Sequence, residues 1–447
     1  MGASGGLQQE VTFVVHADGP VGLDGVGVCF DDERAVADAG IVVCATLAQR
    51  LGIERLVDET VALGERPGAA NAGAKVMTLV SAMALGADCI DDCDVLRAGR
   101  TGQLLGHRVC APSTLGTFLR AFTFGHVRQL DRVLSETLGR AWQAGAGPGD
   151  NRLVIDVDSF VGEVFGPKKQ GAAFGYTRRR GYHPILAVRA DTSEVLHIRL
   201  RTGSANTQRG ISRFCDELIA RLERAGATGP RLLRADSGFW SNDTFDRLEK
   251  AGWQFSIGVR LQPHVRAAID VIPEAAWQTL SDYPPTGLAQ IAETTVSGRR
   301  LVVRRVRTLA DQGQLLPDWQ LFPFVTNRTD TLATVEAEHR QHAVVELAIR
   351  DLKDQALAHF PSGRFFANAA WTVIAALAHN LLRWTSVLGL PGRTMRAART
   401  FRRRLLALPG RLTRSARRWT LHLPARWPWQ TAFVEALTRV RALPTAA

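Results

Sequence analysis

The chain reads as an α/β protein: a mixed sheet with helices packed on it, preceded and followed by helical regions. Three observations predict this. Between residues 152 and 260, five short β-rich segments are interrupted by two helical ones. Residues 31 to 142 repeat Ala, Leu and Val at helical spacing with Gly as punctuation. The end of the chain mixes Arg with Leu, Phe and Trp, which suggests basic helices rather than a loose charge run. With 447 residues, 46% hydrophobic and 22% charged, there is material for several domains at roughly 150 residues each. A disordered chain, a coiled coil and a disulfide-stapled miniprotein are excluded.

Taken in order, the N-terminus MGASGGLQQE has neither a basic nor an apolar targeting segment, so no secretory signal is expected. Gly6 stands where a myristoylation signal needs Ser or Thr. Six cysteines form no disulfide framework. Cys89 and Cys93 flank Asp91 and Asp92 without a second pair at finger spacing, so thiols in a reducing cytoplasm are expected rather than zinc. In APSTLGTFLRAF, Ser113 or Thr114 offers an N-cap to an amphipathic helix. That helix suits the second position of a helix-turn-helix, or any capped helix equally. AGAGPGD (Ala144 to Asp150) is a linker by composition and closes a first region, 1–150.

The pattern then changes. RLVIDVDSF alternates β-branched residues with Asp, as a half-buried strand does. HPILAVRA and VLHIRLR follow, joined by a polar turn at Asp191, Thr192 and Ser193, which is a hairpin signal. A helix is expected from about Gln208 to Ala225, a strand at Arg231 to Asp236, a helix near Asn242 to Ala251, and a strand at Gln254 to Arg260. Residues 151–262 thus form the first part of a core. Residues 263–330 read as a β-rich insertion, with Ser297-Gly298 at the turn of one strand pair and LFPFVTN closing it. Two long helices, Leu332 to Ala358 and Ala367 to Leu388, make up most of 331–384. The apolar run Ala369 to Leu382 contains His379 and Asn380 and is too short to cross a membrane.

Three carboxylates stand out by position. Asp158 lies near the end of the first strand, with Asp156 two residues earlier on the same face. Asp236 ends the fourth strand and is followed by Ser237, Gly238 and Phe239, a turn that leaves it at the sheet edge. Glu346 shares a polar helix face with Arg350 and Lys353. Two strand-end acids and one from a crossing helix could hold a pair of Mg²⁺ ions that activate a water or a 3′-hydroxyl against a phosphodiester. Spacing alone leaves the plainer readings open: strand-end acids commonly cap turns, and a Glu four residues from an Arg is commonly a helix ion pair.

Longer strings carry more weight. VIDVDSFVGEVFGPKKQGAAFGYTRRRGYHPILAV, LLRADSGFWSNDTFDRLEKAGWQF and VELAIRDLKDQ with FFANAAWTVIAALAHNLLRW occur in that order. They resemble the DDE transposases of bacterial insertion sequences, in the group whose ribonuclease-H-like core is interrupted before the last acid. The resemblance runs from Arg152 to Trp384, and more weakly through ADCIDDCDVLRAG and APSTLGTFLRAF. It implies Asp158, Asp236 and Glu346 as catalytic metal ligands for two Mg²⁺ or Mn²⁺, with Asp156 as the alternative first acid, and Lys353 on a phosphate near the scissile bond. Where the family pattern has Tyr and Arg ahead of the Glu, this chain has His339 and His342, with Arg340 as a neighbouring cation. The resemblance places Arg178, Arg179, Arg180 and His183 in a basic loop that would meet DNA, a solvated turn being the equal alternative. His342, when protonated, could take the place of the family's Arg on a DNA phosphate. Arg350 is a further expected DNA contact. Trp240 could stack on an unpaired base or simply pack, and Asn380 is expected to bond backbone and support the Glu346 helix.

Charge agrees with such a partner. The net charge is +12, and the last 63 residues, 385–447, hold thirteen Arg against Glu435 alone. Residues 1–384 contain 42 basic and 42 acidic groups and sum to zero. A field concentrated in this way attracts a polyanion, and Arg402, Arg403 and Arg404 are its densest run. The expected protein is therefore a cytoplasmic, nucleoid-associated enzyme with no membrane partner. It would cut double-stranded DNA at terminal inverted repeats, join the freed ends to target DNA, and assemble as a homodimer on DNA. A metal-dependent nuclease without strand transfer, and a catalytically decayed copy acting as a DNA-binding repressor, are the other classes.

Overall fold

The computed structural model describes residues 26–175, 178–206, 208–281, 283, 287–308, 319–392 and 397–446. The N-terminal targeting readings therefore fall outside the described residues. The centre is a nine-stranded mixed sheet. Its core strands are β1 (Leu153–Ser159), β2 (Ile185–Arg189), β3 (Val195–Arg199), β4 (Arg231–Ala235) and β5 (Gln254–Gly258). They lie in the order β3-β2-β1-β4-β5. The pairs β1–β4 and β4–β5 are parallel, and β1–β2 and β2–β3 antiparallel. The hairpin, the two connecting helices (Ile211–Arg224 and Asn242–Lys250) and the parallel returns follow the periodicity of the sequence.

Residues beyond β5 continue the same sheet. Strands β6 (Gly287–Val296), β7 (Arg299–Thr308) and β8 (Gln320–Thr326) pair antiparallel in turn, and β8 pairs with β5. The β6–β7 turn has Ser297 at φ 49° and Gly298 at φ 76°, the paired left-handed conformation that a two-residue hairpin requires.

The expected Leu332–Ala358 helix is broken. It runs as Leu332–Arg340, a tighter turn over Gln341–Val344, and a second helix, Val345–Lys353. The cause is side-chain capture of backbone: the Arg234 guanidinium donates to the carbonyls of Glu338 and Gln341, drawing them toward the sheet. The following helix, Phe365–Gly389, is one unbroken element whose Trp371, Ile374, Leu377, Leu381 and Trp384 are buried. Its length and apolar composition suit a membrane span, but 89% of that window is buried inside the protein.

The terminal regions are interlaced. The N-terminal helices Val42–Arg50, Ile53–Thr60, Ala72–Leu85, Pro112–Arg120 and Phe124–Ala141 share one core with the long helix. The Pro112–Arg120 helix opens with its proline in the first turn and has no side-chain cap, so Ser113 and Thr114 are inside the helix instead of capping it. After two short helical turns between Ala398 and Leu406, the basic tail turns back as a hairpin, Gly410–Ser415 with Arg418–His422, and ends in the helix Gln430–Ala442. The hairpin adds to the short strand Ala35–Val36.

Candidate active site

The two aspartates leave the sheet side by side. Strands β1 and β4 pair in parallel register through Val157 and Ala235, so each strand's next residue, Asp158 and Asp236, emerges at the same edge. Asp158 is half-buried and accepts from the Ser159 N–H at 2.6 Å. Asp236 is exposed and caps the turn behind it, accepting from the Gly238 N–H at 2.9 Å. That turn fits because residue 258 on β5 is glycine: a Cβ there would meet the Ser237 nitrogen at 2.8 Å.

Glu346 lies in the first turn of Val345–Lys353 and is exposed. No ion pair joins it to Arg350 among the described residues, so the plain helix-pair reading does not hold for it. This helix is fastened to the long helix by a buried ion pair of Asp351 with Arg383. Asn380 bonds backbone, as expected, but that of strand β3. Its amide accepts from the Val195 N–H at 2.6 Å and donates to the Val195 carbonyl at 2.8 Å, tying the long helix to strand β3.

The electrostatics tie the three acids together. Burial pushes the Asp158 carboxyl up to about 6; the Ser159 N–H and His342 oppose this, while the charges of Asp236 and Glu346 add to it. Carboxylates that repel one another in this way are a hard-oxygen donor set, which a divalent cation would neutralise. By donor chemistry, three carboxylates suit a hard divalent cation such as Mg²⁺ or Mn²⁺. A different group, Asp88, Cys89 and Asp92 in the N-terminal region, has its ligand atoms within 4.8 Å of one another.

Asp156 has another task. Its side chain is fully buried, and Arg234 donates to both its oxygens at 2.7 and 2.8 Å. The Nδ1 of His342 lies 3.0 Å from the same carboxylate. These contacts leave Asp158 as the acid at the open strand end. Sequence reasoning passed over Arg234; the available signal was a charge at an inward-facing strand position, two residues before Asp236.

The remaining sequence candidates sit as follows. Lys353 ends the Glu346 helix, exposed, with its ammonium 5.0 Å from the Phe160 ring centre. Desolvation moves its pKa down, against the raising effect of Glu163. Arg350 is exposed. Arg178 and Arg179 are exposed on the β1–β2 connection, where Arg179 pairs with Glu163 at 3.1 Å, and Arg180 donates to the carbonyls of Gly166 and Pro167. His339 is a packing group: its ring stacks on Phe324 with centres 4.0 Å apart, its Nδ1 lies 2.8 Å from the Ser256 hydroxyl, and burial pushes it down to about 3. Arg340 pairs with Glu336 at 3.4 Å. Trp240 is half-buried, edge-on to Phe245. In the tail, Arg402 turns inward to Gln355 at 2.7 Å, while Arg403 and Arg404 are exposed.

Comparison with known proteins adds three findings. Curated proteins give no match. Among solved structures the chain is similar to the piggyBac transposase in its synaptic complex with hairpin DNA, at 13% identity and a TM-score of 0.45, over 83% of this chain and 80% of that one. The family model described as transposase DDE domain group 1 matches residues 20–445, a span that takes in both strand-end aspartates and the glutamate helix. On that match over nearly the whole chain, the protein belongs to the transposase DDE domain group 1 family.

Proposed function

We propose that this protein cuts DNA at the ends of a mobile element and joins the freed 3′ ends to target DNA, using divalent cations held by Asp158, Asp236 and Glu346. The observation that carries this reading is the parallel β1–β4 register, which brings Asp158 and Asp236 out at one sheet edge. The Asp158 carboxyl, raised chiefly by burial, is pushed further up by the charges of Asp236 and Glu346. Mg²⁺ or Mn²⁺ would supply Lewis-acid polarisation of the scissile phosphate and lower the pKa of the attacking hydroxyl.

The chain's own residues bind and orient. Asp158 and Asp236 fix two donors on rigid strand ends, and Glu346 brings a third on a helix locked by Asp351 and Arg383. Lys353, seven residues beyond Glu346, offers an ammonium for a phosphate oxygen. Arg178, Arg179 and Arg350 are exposed cations for flanking phosphates. His342, bonded to Asp156, serves the scaffold of the site. Processing two ends together implies a homodimer assembled on DNA.

The test is a labelled duplex carrying the element's own end, incubated with Mg²⁺ or Mn²⁺ beside Asp236→Asn and Glu346→Gln. Metal-dependent cutting at the end, absent in both variants, is the expected result, with joined products when target DNA is added. Cut DNA without joining would leave a nuclease. Specific binding with no cutting by the wild type would leave a DNA-binding repressor.

A further inference from the structure

The hairpin Gly410–Ser415/Arg418–His422 has two unlike faces. Its register pairs Arg411 with His422, Leu412 with Leu421, Thr413 with Thr420, Arg414 with Trp419 and Ser415 with Arg418. Side chains alternate along a strand and directly opposed residues share a face. One face therefore carries Leu412, Leu421, Arg414 and Trp419. Leu412 is buried against Val36 and Ala39, and the Trp419 ring lies 5.4 Å from the Arg414 guanidinium and 5.5 Å from that of Arg100. Leu412 and Leu421 seat the hairpin on the N-terminal region, with Arg100 also donating to the Leu412 carbonyl at 3.0 Å, while Arg414 and Trp419 nearer the turn stay exposed.

The other face carries Arg411, Thr413, Ser415, Arg418, Thr420 and His422, and Arg417 stands at the turn. It has two guanidiniums, three hydroxyls and an imidazole, and no acid. Arg411 has a distant ion pair with Asp32 at 3.6 Å; Arg417 and Arg418 have no carboxylate partner among the described residues and are exposed. Seven consecutive residues, 414–420, are exposed. A hairpin held firmly at its base, with a tip of unpaired cations and hydroxyl donors, is built for an anion that arrives from outside.

From this we infer that the polar face of the 410–422 hairpin is a docking surface for duplex DNA, with Arg417 and Arg418 on the phosphate backbone. A two-stranded ribbon has the width to follow a duplex groove, and Arg, Ser and Thr are the side chains that bond phosphate oxygens. Charge complementarity commits the surface to a polyanion, and the proposed DNA-cutting activity identifies that polyanion as duplex DNA. The inference rests on that reading for the identity of the partner. Arg417 and Arg418 of the basic run thus stand on a hairpin where helices were expected, while Arg402 turns inward.

The experiment measures binding of the full chain to a labelled duplex across a salt series, for wild type, R417Q/R418Q and R417K/R418K. Taking one cation off the phosphate backbone should lower the slope of log K against log salt by about 0.9. The Gln variant should therefore fall by about two units of slope, and the Lys variant should retain it. Unchanged slope and affinity in the Gln variant, with an unchanged melting temperature, would overturn the inference. So would a Lys variant as weak as the Gln one. Metal-dependent cleavage by the wild type is scored in parallel. A protein that cuts but shows no hairpin effect retains its proposed activity and loses only this surface. A wild type that binds through the hairpin and does not cut loses the activity and retains the surface.

Discussion

Asp156 and Arg234 face each other across the parallel β1–β4 pair, joined at 2.7 and 2.8 Å, each two residues before one of the paired strand-end aspartates. Arg234 also holds the carbonyls of Glu338 and Gln341, and Asp156 also holds His342. One buried ion pair thereby fixes β1, β4 and the turn that aims the Glu346 helix. Removing one partner leaves a buried charge unpaired, so Arg234→Met should cost about 3–5 kcal/mol in urea unfolding. Asp156→Leu combined with Arg234→Met should cost clearly less than the sum of the two single changes. Additive losses would show that the pair does not act as a unit.

Asp158 sets a pH window. Its ordinary carboxyl value is near 4, and in the folded protein it is pushed up to about 6. Between those values the folded state holds a proton that the unfolded state has released. The resulting cost to folding is therefore fully present above about 6 and fades as pH falls toward 4. Asp158→Asn should raise the stability of the metal-free protein by about 1–2 kcal/mol at pH 7, with the gain shrinking at pH 5. Because a cation must displace that proton, metal-dependent cleavage by the wild type should fall as pH drops below 6. Denaturation at both pH values, with a pH profile of cleavage, checks both halves.

Gly258 is a spacing device for the second acid. Gly258→Ala would put a methyl 2.8 Å from the Ser237 nitrogen and 3.2 Å from the Asp236 carbonyl carbon. Both atoms are backbone and cannot swing away. The expected cost is about 1–3 kcal/mol of stability, with a further loss of cleavage because the Asp236 turn is displaced. Gly125→Ala is the comparison: nothing lies within 4 Å of its Cβ position in the Phe124–Ala141 helix, and it should be neutral or slightly stabilising.

Asn380 satisfies both backbone groups of Val195 from the middle of the long helix. Asn380→Ala strands a buried donor and a buried acceptor and should cost about 2–4 kcal/mol by thermal unfolding. Hydrogen exchange at the Val195 amide should accelerate more than at Leu186 on β2, which keeps its ladder partner. Equal acceleration at both would mean that the helix–strand tie is not local.

The order of strands and helices from Arg152 to Arg260 was legible in the sequence, because apolar periodicity is a local property and β1 to β5 obey it. Beyond it the structure adds a helix, Pro263–Asp270, where only strands were expected. The positions of Asp236 at a strand end and Glu346 on a helix were legible for a related reason: each sits in a local string with its own turn or helix face. What stayed hidden depended on partners far along the chain. Asp156 and Asp158 look alike until Arg234, 78 residues away from the first of them, takes it into a buried ion pair. The Leu332–Lys353 helix breaks because that same side chain captures its carbonyls. In the tail, Arg411 to His422 has a pattern that suits a strand as well as a helix, and pairing with Ala35 and Val36, near the other end of the chain, decides for the hairpin. Local sequence determined the strands and helices of the β1–β5 core and which acids reach its edge. Only the tertiary structure decided which charges are consumed in the core and which remain open to solvent, since burial is shared among distant segments and no one of them encodes it alone.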